Sequence, residues 1–463
     1  MPRFPSLGYQ VPNLKGMSNK GVTQLYNLPK KWMVVCASPA SQRETYLSMR
    51  NQYRALASLD IEFLSTRSAT GITSIYIVDP NRVVRAILHD SPQNPISPQN
   101  IANIITALDN TYRPEIQSID NQPINPACID VQQVVGEYVL GDPQNVDPYL
   151  LDFAISAFGL IQPDGSIEVY SERFLQELAD LRFANPNLKV LLAIGGWGND
   201  GFSDAALTPK SRFDFAREIK KWIDDYSLDG VDIDWEYPGT SAAGITSRPE
   251  DKENFTLLLQ AIRQVIGPNK WLTVAGIGDK SYINNVEIAE IGEIINYFNL
   301  MSYDYTAGLS GERGNKHQSN LFESELSVDG ISTDIYVQNL IDAGMPPEKI
   351  LVGVGYYGRQ GMANTVTFDE IRNRYLNKNG YTVRWDNVAK APYIVDRFGN
   401  FVYSFDNELS IYFKTKYVED NCLGGIFGWQ SNMDRANILL NAMNLGMKNP
   451  AELENILSQQ YLG

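Results

Sequence analysis

Histidine is almost missing from these 463 residues: only His89 and His317 occur. So few imidazoles argue against a histidine-built zinc centre and against a Ser-His-Asp triad. Cysteine is nearly as rare, and Cys36, Cys128 and Cys422 stand far apart. They show no metal-ligand spacing, and an odd count cannot pair completely. Neither a metal nor another cofactor is expected. No apolar run is long enough to span a bilayer, and the opening MPRFPSLGYQ lacks the hydrophobic core of a secretory signal. The expectation is action inside the cell, exit by a non-classical route, or a processed form. Positive charge is in deficit, with 39 Lys and Arg against 54 Asp and Glu and a net charge of −15. That balance argues against nucleic acid or an anionic membrane as partner and is compatible with a neutral substrate.

What the chain does have is apolar residues, 43% of the total, enough for substantial cores. Its length predicts one large domain plus one small one. The stretch that stands out is Leu228-Asp229-Gly230-Val231-Asp232-Ile233-Asp234-Trp235-Glu236-Tyr237-Pro238. β-Branched and aromatic residues alternate with acids there, and Pro238 ends the run, which predicts a strand. Alternation puts Asp232, Asp234 and Glu236 on one face and Val231, Ile233 and Trp235 on the other. A row of three carboxylates cannot stay fully ionised if it is buried, so at least one is expected to hold a proton near neutral pH. A protonated carboxylic acid beside ionised ones is the equipment of acid-catalysed bond cleavage.

Residues 1–112 read as a small α/β unit. Strands are predicted at Trp32–Cys36, Ile61–Leu64, Thr73–Val78 and Val83–Leu88, with helices over Gln42–Leu59 and Ile101–Tyr112. This order resembles the thioredoxin fold, peroxiredoxins especially. In that family a reactive Cys opens the first helix. Here Pro39-Ala40-Ser41-Gln42 occupies its place, and Cys36 falls inside the strand as a small hydrophobe. The resemblance therefore implies a unit without redox chemistry, serving as spacer, docking surface or dimerisation module. Residues 113–130 contain three Pro and no period and are predicted to be a linker.

From Val131 strands alternate with helical segments, which argues for a parallel sheet. Eight strands are predicted, at Val134–Val139, Phe153–Phe158, Lys189–Ile194, Gly230–Trp235, Trp271–Ala275, Tyr297–Ser302, Ile350–Val354 and Gly424–Trp429. With their helices they fit a (β/α)8 TIM barrel over 131–446, followed by a tail over 447–463. Functional residues in that fold gather at the C-terminal ends of the strands, and five of these strands run into Gly195-Gly196-Trp197, Asp234-Trp235-Glu236, Tyr303-Asp304-Tyr305, Tyr356-Tyr357-Gly358-Arg359 and Trp429-Gln430. The seventh unit is too long. About 362–420 is predicted to be a small α+β insertion, with a helix over Thr367–Leu376 and strands Tyr381–Trp385, Tyr393–Val395 and Phe401–Tyr403 that wall the catalytic rim.

Asp229-Gly230-Val231-Asp232-Ile233-Asp234-Trp235-Glu236 resembles the DxxDxDxE signature of glycoside hydrolase family 18, the chitinases and their relatives. Four further segments resemble that family's strand ends. They are Ala193-Ile194-Gly195-Gly196-Trp197, with Ala193 where Ser is usual, Asn299-Leu300-Met301-Ser302-Tyr303-Asp304-Tyr305, Val352 to Arg359, and Gly424 to Trp429. The resemblance implies hydrolysis of β-1,4-linked N-acetylglucosamine polymers, chitin or its oligosaccharides, by a retaining, substrate-assisted mechanism. It implies Glu236 as general acid and base, Asp234 as the group that orients the acetamido N–H, Asp232 as its proton-sharing partner, and Tyr303 as a hydrogen-bond donor to the acetamido group. Asp229, of opposite parity, is left a structural role. Trp429 is implied as the floor of the pocket and Trp197 as a neighbouring platform, with Tyr237, Met301, Asp304, Tyr357 and Arg359 as lining residues. Tyr305 to Ser310 holds no Trp, where processive members carry one, which implies weak processivity. Two alternatives stand beside this reading: an endo-β-N-acetylglucosaminidase or peptidoglycan-lytic glycosidase, and a chitin-binding lectin without catalysis. Family lectins typically lose the last acid of the motif, which is present here as Glu236.

Overall fold

The computed structural model describes residues 15–18, 21–24, 33–38, 62–67, 74–78, 84–89, 101, 128, 131–362 and 364–461. Eight strands, labelled β1 to β8, form the large unit: Val134–Leu140, Phe153–Ile161, Lys189–Gly195, Gly230–Asp234, Trp271–Gly276, Tyr297–Leu300, Ile350–Gly355 and Gly425–Trp429. Each pairs in parallel with the next, β8 pairs with β1, and β2 with β3, so the sheet closes on itself. All eight coincide with the strands expected from sequence to within a few residues. Such strands need apolar residues on both faces, because helices cover the outside and side chains fill the inside. β3 shows the division: Leu191 and Ala193 pack in the barrel core, while Val190, Leu192 and Ile194 pack under the helices.

Local chemistry starts and stops the covering helices. The helix Pro209–Asp225 begins with Pro209 in its first turn, and the Thr208 side chain caps it in a reciprocal box with Ser211. Proline fits there because that N–H has no helical partner. The buried residues Phe215, Ala216, Ile219 and Ile223 recur at helical spacing and face the sheet. Among the described residues no helix is long and apolar enough to cross a membrane.

Between β7 and β8 lies a five-stranded antiparallel sheet whose strands are Tyr357–Gln360, Asn364–Thr367, Thr382–Asp386, Ala391–Val395 and Phe401–Ser404. Its helical part is shorter than expected, one α turn at Phe368–Glu370 and a wider five-residue turn at Ile371–Tyr375. A buried ion pair anchors the return to the barrel. Lys414 Nζ donates to Asp406 Oδ2 at 2.9 Å, and Ser319 and Ser410 also donate to Asp406, so the charge is paired and hydrogen-bonded where water cannot reach it.

The N-terminal described strands form a separate six-stranded sheet. Strands Glu62–Arg67, Met33–Ser38, Ser74–Val78 and Val84–His89 lie in that order, with one parallel pairing followed by two antiparallel ones. Two strands not expected from sequence, Lys15–Ser18 and Gly21–Gln24, extend the Glu62–Arg67 edge. The helices expected at Gln42–Leu59 and beyond Ile101, and the linker apart from Cys128, lie outside the described residues.

Cys128 and Cys422 form a disulfide across a separation of 294 residues, with Cα atoms 4.7 Å apart. Sequence spacing alone did not reveal it, because the barrel's closure brings the approach to β1 beside the turn before β8. Closing so long a loop restricts the unfolded chain. Cys422→Ser is expected to lower the unfolding free energy of the barrel by about 2–4 kcal/mol, measured by urea denaturation of oxidised protein. An unchanged midpoint would show that the bond restrains nothing.

Candidate active site

Two carboxyl side chains enter the barrel on β4. Asp232 is fully buried and Asp234 is 3% exposed. Trp235 points the other way, stacked on Phe202 at 5.4 Å and edge-on to Phe255 at 5.5 Å, in the layer between sheet and helices. Strand pairing stops at Asp234, two residues earlier than alternation through Glu236 implies. The neighbouring strand ends there because Gly195 and Gly196 take φ of +115° and +91° and peel away. A Cβ on Gly195 would run into the carbonyl oxygen of Asp234, so glycine is required for the strands to approach. Glu236 follows in a bend, half-buried, on the wall of the cleft. Asp229 lies at the other end of β4. It accepts hydrogen bonds from Arg182 and from the Val190 N–H and pairs with Lys189, tying β3 and β4 together at their start.

The two buried aspartates have opposite surroundings. Asp232 Oδ1 accepts from Thr273 Oγ1 at 2.6 Å and Asn299 Nδ2 at 3.0 Å. Its Oδ2 accepts from the Tyr138 hydroxyl at 2.8 Å. Asp234 Oδ1 has no hydrogen-bond partner among the described residues. Burial raises the Asp232 carboxyl to about 6, the three donors holding it down. Burial raises Asp234 well above the usual carboxylate range, and the charges of Glu236 and Asp232 push it further. Burial also pushes Glu236 up to about 7. A hydrogen bond from Tyr237 opposes that rise, and the charge of Asp304 adds to it. Burial and mutual charge thus favour the protonated forms of Asp234 and Glu236 in this row.

Above the acids opens a cleft of about 700 Å³. Trp429 lines it, with its ring 5.4 Å from Tyr138 and 5.7 Å from Phe158. Trp197 stands at the edge, 64% exposed and edge-on to Tyr237. Tyr303 is nearly buried and meets Tyr357 and Phe427 edge-on, and its hydroxyl is held in the un-ionised form by burial and by the charge of Asp234. Met301, Asp304 and Arg359 also line the cleft. Arg359 Nε lies 2.7 Å from Asp304 Oδ1, an ion pair without the alignment of a hydrogen bond. Tyr357 is the exception among the expected lining residues. It does not line the cleft but lies behind Asp304, donating its hydroxyl to that carboxylate.

Sequence reasoning missed Tyr138, Phe158, Thr273 and Asn299. Tyr138, Thr273 and Asn299 are polar residues on barrel strands, and each reaches Asp232, so polarity at an inward strand position was the available signal. Phe158 carried none, since a terminal aromatic on a strand reads as core. Among the described residues no group of three or more His, Cys, Asp or Glu could hold a metal ion.

Residues 132–434 match the family described as glycosyl hydrolases family 18. Chitinase A1 of Niallia circulans is 33% identical over 308 residues, 58% of this chain and 44% of that protein, so the chain spans less than half the length of that relative. The crystallised chitinase domain of the spore coat protein CotE from Clostridium difficile is 56% identical, covers 73% of this chain and 98% of that one, and superposes with a TM-score of 0.55. A family 18 N-acetylglucosaminidase from Paenibacillus barengoltzii is 34% identical, covers 68% of this chain and 100% of that one, with a TM-score of 0.63.

Replacing Gly195 by Ala is expected to force β3 and β4 apart at Asp234. A destabilisation of at least about 2 kcal/mol in urea denaturation, with loss of activity, is the expected outcome. Wild-type stability in that variant would refute the close-approach argument.

Proposed function

The chain belongs to glycosyl hydrolases family 18, and on that premise we propose that it is a chitinase cleaving β-1,4 linkages between N-acetylglucosamine units by a retaining, substrate-assisted route. The observation that carries the reading is the acid row: a half-buried Glu236 raised to about 7, beside an Asp234 with one carboxyl oxygen free of donors, in a cleft lined by aromatic residues. Glu236 protonates the glycosidic oxygen as the substrate's acetamido oxygen attacks its own anomeric carbon. The C1–O bond breaks, the leaving sugar departs as an alcohol, and a cyclic oxazolinium ion remains. Water then attacks C1, Glu236 takes its proton, and the ring reopens with net retention. Asp234 accepts the acetamido N–H and shares its proton with Asp232. Tyr303 donates to the acetamido group. Trp429 and Trp197 offer faces to the apolar C–H surfaces of the sugars, Trp429 beneath the reacting unit. Tyr237, Met301, Asp304 and Arg359 complete the lining, and Tyr357 acts by holding Asp304.

The barrel spans 131–446 in this reading, and the insertion of about 362–420, whose strands pair with Tyr357–Gln360, deepens the cleft to take a polymer. Residues 1–112 form a thioredoxin-like unit without redox chemistry that docks or dimerises the enzyme. The order of its four central strands, one parallel pairing followed by two antiparallel ones, supports the thioredoxin-like part of this reading. An N-acetylglucosaminidase reading draws support from the 34% identical structure with that activity. The product profile from N-acetylglucosamine hexamer separates the two. Internal cleavage to dimers and trimers fits a chitinase, and release of monomers fits the second reading.

Glu236→Gln should abolish hydrolysis of the hexamer while leaving its binding measurable by calorimetry. Residual wild-type turnover sinks the acid assignment. Asp234→Asn is expected to lower kcat by about a hundredfold or more. Glu236 must carry its proton to act as an acid, so kcat/KM should fall as pH rises through about 7. A profile flat to pH 9 would remove Glu236 from that role.

A further inference from the structure

The carboxyl pair on β4 is asymmetric, and two of the three donors that make it so lie outside the cleft. On the β3 side the register neighbour of Asp232 is Ala193, whose methyl offers no hydrogen bond. On the β5 side it is Thr273. The Thr273 hydroxyl and the Asn299 amide, the latter on β6, converge on Asp232 Oδ1. The Asn299 amide also donates to the Tyr138 hydroxyl at 3.0 Å, and that hydroxyl donates to Oδ2. Three donors reach Asp232. Asp234, on the same strand and equally buried, has an oxygen with none.

We propose that Thr273 and Asn299 are positioning residues that keep Asp232 as the ionised member of the pair and so leave the shared proton on Asp234. This inference rests on the chitinase reading above. Donors that point at one carboxylate favour its charged form, and a carboxylate next to it without donors takes the proton. Neither residue touches the substrate. Thr273 is 1% exposed and Asn299 fully buried, and neither lines the cleft. The titratable groups that face Asp232 are Tyr138 from β1, Asp234 from its own strand and Tyr303 from beyond β6. Both tyrosine hydroxyls are held un-ionised by burial first and by carboxylate charge second, so they act as neutral hydroxyls.

The arrangement has a chemical consequence. A protonated Asp234 can donate to Glu236 through its O–H and accept the acetamido N–H at its other oxygen. The anionic Asp232 behind it balances the positive charge that develops on the oxazolinium ion. When Asp232 takes up a proton, the pair becomes neutral and that balance is lost. The acid limb of the rate profile therefore reports Asp232.

The test is a pH profile of kcat and kcat/KM on N-acetylglucosamine hexamer for wild type, Thr273→Val, Thr273→Ser and Asn299→Ala. Thr273→Val keeps the shape of the side chain and removes the donor. Its acid limb is expected to move up by about one pH unit, with kcat near pH 6 down about fivefold and KM unchanged. Thr273→Ser retains the hydroxyl and is expected to restore the wild-type limb. Asn299→Ala removes the other donor to the same oxygen and should shift the limb the same way, so either variant that folds decides the matter. A purely structural role lowers the melting temperature of Thr273→Val without moving the limb, and that outcome overturns the proposal. Equal profiles for Thr273→Val and Thr273→Ser overturn it too. A wild-type enzyme without activity on the hexamer sinks the underlying reading instead.

Discussion

Everything in the barrel's upper half answers to one constraint: two carboxyl groups share one strand face inside an apolar cylinder. Asp232 and Asp234 are two residues apart and both buried. Two anions at that depth would repel each other with little solvent to screen them. The structure resolves the conflict by treating them unequally. One receives three hydrogen bonds, and the other is left with a bare oxygen. A buried polar atom without a partner costs folding free energy. Such a cost is tolerated where function uses the group, and here the group points toward the cleft.

The fold supplies what the pair needs from different directions. β1 gives Tyr138, β5 gives Thr273 and β6 gives Asn299, all converging on one carboxylate. Closure of the barrel places side chains from strands 161 residues apart within hydrogen-bonding distance. Layered packing explains the precision, because the inward residues of neighbouring strands meet in register. The β3–β4 junction adds a backbone device. Gly195 and Gly196 let one strand turn away where the other delivers Glu236, so the acid emerges beyond the sheet and into the cleft.

Much of this was legible in the sequence. Eight apolar segments of strand length separated by helical periods left few architectures other than a barrel, and all eight segments became strands. The acid row was legible by parity, which also turned Trp235 toward the helices correctly. Its end was not. Alternation carries no information on where a neighbouring strand departs, and the positive φ at Gly195 and Gly196 decides that. Tyr357 was placed in the cleft because it follows a strand end, but its hydroxyl had a nearer partner in Asp304. The disulfide was invisible, since closure of the barrel rather than chain spacing brings Cys128 and Cys422 together. In the N-terminal unit four strands were readable from β-branched runs. The pair at Lys15–Ser18 and Gly21–Gln24 escaped because its residues are too short and polar to show a period.

The donor set around Asp232 also bears on what the site lacks. A retaining glycosidase of the ordinary kind needs a carboxylate free to attack the anomeric carbon. Asp232 is fully buried, accepts three hydrogen bonds and does not line the cleft, so it is out of reach of a sugar there. A protonated Asp234 is a poor nucleophile, and Glu236 must carry a proton to act as an acid. No member of the row is then left to form a covalent bond to sugar. In the proposed route the nucleophile comes from the substrate, as an acetamido group beside the anomeric carbon. On that reading the electrostatics that hold Asp232, Asp234 and Glu236 together favour a substrate bearing an N-acetyl group. A sugar with a bare hydroxyl at that position lacks this internal nucleophile.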